Sequence, residues 1–293
     1  MSRFNPGILL GILFFLGTTL TVDAQVEMPR NSPMAMVSYN VGLTEITITY
    51  SAPAVRERKI FGKLVPYGEV WRAGANEATT IEFSRDLNLE GNRVPAGKYA
   101  LFIIPKKEGD WTIILNEDAD QWGAMQYDES KDVMRAEVPT KKSKVVEERL
   151  NYAIVDQDID AGYIRMGWNK SRVYMRFRTF LEENLTATVE KAVNEAEEGN
   201  EWLPYAAAAD FYKNSEDYLD QAMNMVNKAA EIQKNTYVWW TMAQIQAKKE
   251  EYQAAVNSAT EALEYGQENP DDRYYSFYGD LIKEMAEKWR LKI

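Results

Sequence analysis

The chain has 293 residues and a formal net charge of −11, with no histidine and no cysteine. Those absences exclude serine–histidine and cysteine–histidine nucleophile pairs, haem held by histidine, the usual zinc sites and any disulfide staple, so each domain must stand on its own core. The charge is divided unevenly, because residues 25–180 carry 22 acidic and 22 basic side chains while 181–293 carry 22 and 11, and an acidic surface of that size argues against nucleic acid and against an anionic membrane surface.

At the start of the chain, Arg3 precedes a 14-residue, largely apolar stretch, GILLGILFFLGTTL (7–20), too short to span a bilayer comfortably. Val22 and Ala24 then occupy the −3 and −1 positions of a signal-peptidase site. Residues 1–24 are therefore expected to be a signal peptide, with Gln25 first in the mature chain; a retained signal anchor is the alternative. No cysteine follows the expected cut, which removes lipoprotein anchoring. No second long apolar run occurs, so no membrane span is expected in the mature chain. The expected location is periplasmic, or extracellular at the outer surface. Residues 25–36 read as a linker.

Residues 37–180 read as β. EITITY alternates Ile46, Ile48 and Tyr50; TIEF offers Ile81 and Phe83; DWTIIL offers Trp111, Ile113 and Leu115; VYMRFRTF offers Val173, Met175 and Phe177. Period-two alternation between turn residues marks half-buried strands. EGN (90–92) and PAG (95–97) are the turn signals in the middle. ALFIIP (100–105) is apolar on both faces, as a central strand covered on each side would be. About eight short strands without a helix predict an all-β sandwich, jelly-roll-like in class.

From about Asn184 the period becomes helical, and six stretches between 185 and 292 each offer an apolar stripe. Tyr218 and Tyr252 lie 34 residues apart, as do Ala209 and Ala243; Ala222/Ala255 and Ala229/Ala262 lie 33 apart. A helix, a short polar turn, then Tyr and Ala at fixed offsets resembles tetratricopeptide repeats, in which small residues let paired helices approach. The resemblance covers roughly 200–270 with two recognisable units, and the family's Leu-Gly pair in the first helix is missing. Residues 181–293 are accordingly expected to form α-helical hairpins.

A second resemblance comes from the β region. WRAGANEAT (71–79), PAGKYALFIIP (95–105), WTIILN (111–116) and QWG (121–123), in this order, resemble an exported bacterial family known as domain of unknown function 2911. The resemblance covers about residues 33–180. It implies an envelope protein of a Gram-negative bacterium, with the helical region as an addition, and it implies no activity.

The candidate ligand loop is EVWRAGANEATTIEF (69–83). Trp71 offers a flat apolar face, Arg72 a fixed fork of donors, and Asn76 with Glu77 a donor–acceptor pair, a mixture that suits a sugar ring or a carboxylate. The competing expectation is architectural: Trp71 plugs the sandwich end, Gly74 takes a strained φ and Arg72 pairs with Glu77 as a clasp. Trp122 is expected to be exposed and is a further candidate ligand-binding residue, with a loop-end plug as the alternative, whereas Trp111 and Trp168 are expected in the core. Arg172, Arg176 and Arg178, opposite Val173, Met175 and Phe177, are candidates to hold an anionic ligand or to seat the acidic helical region; ordinary cross-strand ion pairing is the alternative. NEDAD (116–120) and DQDID (156–160) lack the Gly and Glu of an EF-hand, so no metal is expected, and no cofactor.

The expected function is that of a non-catalytic binding or scaffold protein of the cell envelope. A protein partner is expected on the helical region, on a face with Tyr205, Tyr212, Trp239 and Trp240, and a glycan or small carboxylate on the β domain. The alternative is a carbohydrate-active envelope enzyme using Glu77 with another carboxylate; Glu69, Glu82 and Asp86 are near.

Overall fold

The computed structural model describes residues 28–293; the expected signal segment, 1–24, lies outside them. Residues 32–293 form one compact unit.

Ten strands form two antiparallel sheets. The first contains, in spatial order, β1 (Met34–Val41), β2 (Thr44–Ser51), β3 (Thr79–Phe83), β6 (Gly97–Ile104), β7 (Trp111–Asn116) and β8 (Asp132–Val138). The second contains β5 (Asn92–Val94), β4 (Leu87–Leu89), β10 (Ala161–Thr179) and β9 (Thr140–Val155). The alternating residues of EITITY and TIEF do point one way, since Ile46, Ile48, Ile81 and Phe83 share a core with Leu101, Ile103 and Ile113 of the first sheet and Met166, Val173, Met175 and Phe177 of the second. That single core between two sheets is the sandwich arrangement expected.

The strands are not uniformly short. β9 and β10 have 16 and 19 residues and form one long hairpin, with register shifts on either side of Asn169, whose φ is +52°. Such bulges bend a strand and let one hairpin continue past the edge of its sheet. The double-sided character of ALFIIP is also explained. Leu101 and Ile103 face the main core, whereas Ala100 and Phe102 join Ala78 and Ile114 in a smaller cluster on the other face, covered by Ala124 and Tyr127 of the 117–131 connection.

Six helices follow: α1 (Leu181–Asn194), α2 (Trp202–Tyr212), α3 (Leu219–Ile232), α4 (Thr236–Lys248), α5 (Tyr252–Glu268) and α6 (Arg273–Arg290). Asn235 caps α4 by accepting from the Val238 amide, and Asp272 caps α6 by accepting from those of Tyr274 and Tyr275. Consecutive helices pack as neighbours from α1 to α6, and α4 also touches α2 and α6. The six alanines at repeat spacing, Ala209, Ala222, Ala229, Ala243, Ala255 and Ala262, are all fully buried. Small side chains there let helix backbones approach, which is the physical reason for the periodicity.

Gly266 shows how tight one of these contacts is. A Cβ there would lie 2.1 Å from Tyr275 Cδ2 and 2.7 Å from Tyr275 Cβ. Alanine gains about 1 kcal/mol of helix propensity over glycine, but the contact includes the root of the tyrosine, so rotating its ring gives no relief. Gly266→Ala is expected to destabilise by about 1–3 kcal/mol net, read by urea unfolding. A neutral or stabilising result would show that α5 and α6 sit further apart than described.

Candidate functional site

The 69–83 loop is built into the sandwich. Trp71 pairs as an isolated bridge with Ile103, each backbone amide donating to the other's carbonyl at 2.9 and 2.8 Å. Its ring is 7% exposed, stacks on Trp168 at 5.7 Å and meets the edge of Phe61, and Phe61 meets Trp111 at 4.5 Å. The indole N–H donates to the Gly74 carbonyl at 3.0 Å. No flat face is left for a sugar. Trp111 and Trp168 are core residues, as their alternation predicts.

The rest of the loop departs from the clasp in detail. The left-handed backbone sits at Ala73 (φ +54°) and Asn76 (φ +58°), not at Gly74. Gly74 is needed for room, because a Cβ there would lie 2.6 Å from Thr79 Oγ1. Asn76 Nδ2 donates to the Ser51 hydroxyl and the Ser32 carbonyl, and Tyr152 OH and Thr79 OH both donate to the Ala73 carbonyl. Arg72 is half-buried, its Nε finds no acceptor, and burial lowers its pKa. Among the described residues it forms no ion pair with Glu77, which is engaged elsewhere and whose backbone bridges to Trp122. Trp122 is 57% exposed, as expected, with Met125 of the same connection more exposed still.

The three arginines of β10 part company. Arg172 is buried, donating to the carbonyls of Asn169, Ser171 and Val145 and pairing with Glu147 at 3.0 Å, a carboxylate it shares with Arg165. Arg176 is exposed, and its backbone N–H donates to Glu90, whose carboxyl is raised by burial. Arg178 reaches the helical region: Nη1 pairs at 2.8 Å with Asp160 Oδ2, which also accepts from Tyr218 OH at 2.6 Å. Asp160 is buried, and Tyr218 immediately precedes α3. Beside this knot, Arg93 pairs with Asp86 and Glu183 and lies over the Phe180 ring at 4.3 Å. One arginine therefore seats helices and one is internal, and the common anion site does not form from all three.

On the helical region the exposed aromatics are not those expected. Tyr212 and Trp240 are buried between helices, and Tyr205 and Trp239 are half-buried beneath Lys228 and Lys234. A half-buried row runs across the N-terminal ends of α2, α4 and α6. Trp202 meets Tyr237 at 6.2 Å, Tyr237 meets Tyr274 at 4.8 Å, and Tyr274 meets Tyr278 at 4.5 Å. Trp202, Leu203, Tyr237 and Tyr274 line a cavity of about 700 Å³, rimmed by Asn235, Asp272 and Arg273. Leu203 and Tyr278 are exposed. The sequence signal for this row was the tyrosine cluster in RYYSFYG at the start of α6, opposite TYVWW at the start of α4.

Burial pushes the hydroxyls of Tyr212 and Tyr237 up to about 12, with the charges of Glu182 and Asp210 adding to it. A raised phenol stabilises the fold fully below its unfolded value of about 10. That contribution is lost as pH rises through the folded value. Without histidine or cysteine, stability is expected to be flat from about pH 6 to 9 and to fall from about 10 to 12, followed by helical circular dichroism in urea. A transition centred near neutrality would contradict this.

Residues 32–177 match the model of the family described as protein of unknown function (DUF2911). No curated protein and no solved structure matches the chain.

Proposed function

We propose that this chain, whose residues 32–177 place it in the DUF2911 family, is a non-catalytic binding protein of the cell envelope. In this reading the β domain is a rigid platform and the helical region is the receptor for a protein segment. The supporting observation is the aromatic row Trp202–Tyr237–Tyr274–Tyr278, which lies across three helices with a cavity beneath it and is only partly consumed by packing. Aromatic rings with polar tips at a partly open cavity give large contact area at low conformational cost. The 69–83 loop supplies no comparable surface, because Trp71 is spent on the core and Asn76 on internal bonds.

Export after cleavage near Ala24–Gln25, to the periplasm or beyond, and descent of the hairpins from tetratricopeptide repeats belong to the same reading. The apolar 7–20 stretch and the buried alanines at 33–34-residue spacing support them. No helix among the described residues is long and apolar enough to cross a membrane.

Selection of displayed random peptides on the purified chain tests the reading. Enriched peptides are expected to lose at least tenfold in affinity on Tyr278→Ala, about 1.4 kcal/mol, and to be unaffected by Trp122→Ala. Failure to enrich any sequence, or binding that follows Trp122 instead, would retire it.

A further inference from the structure

We infer that the crevice between the C-terminal ends of α2 and α4 and the second half of α6 is a binding site for a small organic anion. The ligand class is a molecule with one ring-sized apolar group and one carboxylate. The cavity measures about 420 Å³, the size of sites that enclose a small ligand, and such sites pair an apolar lining with a few placed polar groups. The apolar part is Leu281 and Met285, backed by Trp240 and Trp289, which are buried and stack on each other at 5.7 Å. Leu281 is 43% exposed, so the wall is open to solvent.

The polar part is cationic. Lys213, Lys248 and Lys292 line the cavity and no Asp or Glu does, although acids outnumber bases 22 to 11 across residues 181–293. Lys213 is already paired, with Asp210 and with Gln244. The other two have only neutral partners among the described residues. Lys248 Nζ donates to the Lys213 carbonyl at 2.7 Å, and Lys292 Nζ donates to Tyr252 OH at 3.2 Å while lying over that ring at 4.7 Å. Each ammonium has further donors to offer, and two such cations at the mouth of an apolar cavity attract a carboxylate more strongly than they would in bulk water.

The rival explanation is that lysines near helix C-termini merely offset the negative end of each helix. It accounts for Lys248, whose bond goes to a carbonyl just past α2, but not for Lys292, whose bond goes to a hydroxyl at the start of α5. The site lies at the opposite ends of α2, α4 and α6 from the aromatic row, so its failure would leave the peptide-binding reading standing.

Titration calorimetry of the purified chain with 2-naphthylacetate and with its neutral amide tests the inference. The acid is expected to bind saturably, one per chain and at least tenfold more tightly than the amide, with the difference shrinking as salt rises. Lys248→Gln/Lys292→Gln, two changes at the pocket mouth, is expected to leave the melting temperature unchanged and to bring acid and amide to equal affinity. Absence of saturable binding, equal binding of acid and amide to the parent chain, or a preference for the acid that survives the double substitution would each overturn it.

Discussion

Trp71→Ala is expected to lower the unfolding free energy by about 3–5 kcal/mol, the range for removing a large aromatic from a packed core. Trp71 touches Trp168 and Phe61, and through Phe61 it is continuous with Trp111, so the vacated space lies inside one aromatic cluster where neighbours have no room to collapse. The substitution also removes the donor to the Gly74 carbonyl, which holds the turn that carries Ala73 and Asn76 at positive φ. Domain stabilities of about 5–15 kcal/mol make this a loss that shifts the urea midpoint severalfold beyond error. Trp71→Phe keeps much of the ring contact and loses the donor, so roughly half the penalty is expected. If Trp71→Ala unfolded within about 0.5 kcal/mol of the parent chain, as surface substitutions do, the ring would not be the plug described and the loop would return as a candidate ligand site.

The second large effect lies where the helices meet the sandwich. Asp160→Ala is expected to cost about 2–3 kcal/mol, because a buried carboxylate leaves two donors, Arg178 Nη1 and Tyr218 OH, without their acceptor. The figure is kept below that for a fully buried ion pair because the Arg178 side chain is 48% exposed and retains water. Burial first, and then the Asp160 carboxylate, raise the Tyr218 hydroxyl well above its ordinary range, which keeps it protonated as a donor. Asp160→Asn leaves an acceptor for Tyr218 and is expected to cost less than half as much. Amide hydrogen exchange is the informative readout, since faster exchange in α1 and the first turns of α3, with β6 and β7 unchanged, identifies a loosened seat. Uniform acceleration through the β core would instead place Asp160 in the folding of the sandwich.

Much of the fold was legible because its signals are local. Alternation put Ile46, Ile48, Ile81, Trp111 and Trp168 in the core, and the double-sided ALFIIP is explained by a second cluster on the outer face. The six helices fall where the 3.6 period begins. β9 was not legible, because its first half is charged and largely exposed and alternates only from Leu150 onward. The candidate site was harder for the same physical reason. Asp160 sits in DQDID beside Asp156 and Asp158, which are exposed, and nothing local distinguishes the one whose partner, Tyr218, lies 58 residues away. Arg178 could be named as a docking residue from charge imbalance, but its separation from Arg172 depends on which strand lies opposite, β9 for Arg172 and β4 for Arg178. Likewise, aromatic content alone pointed to Tyr212 and Trp240, which the helix core consumes, while Tyr237 and Tyr274 stay half-buried at a cavity because they fall on the first turns of α4 and α6.

In the reading proposed above, binding belongs to the helical face and not to the 69–83 loop. Hydrogen exchange of the purified chain with and without a selected peptide tests it most directly. Added protection is expected in the first turns of α2, α4 and α6, around Trp202, Tyr237 and Tyr274, with exchange at 69–83 unchanged. Protection confined to 69–83 and the Trp122 connection, with the helices unaffected, would contradict it.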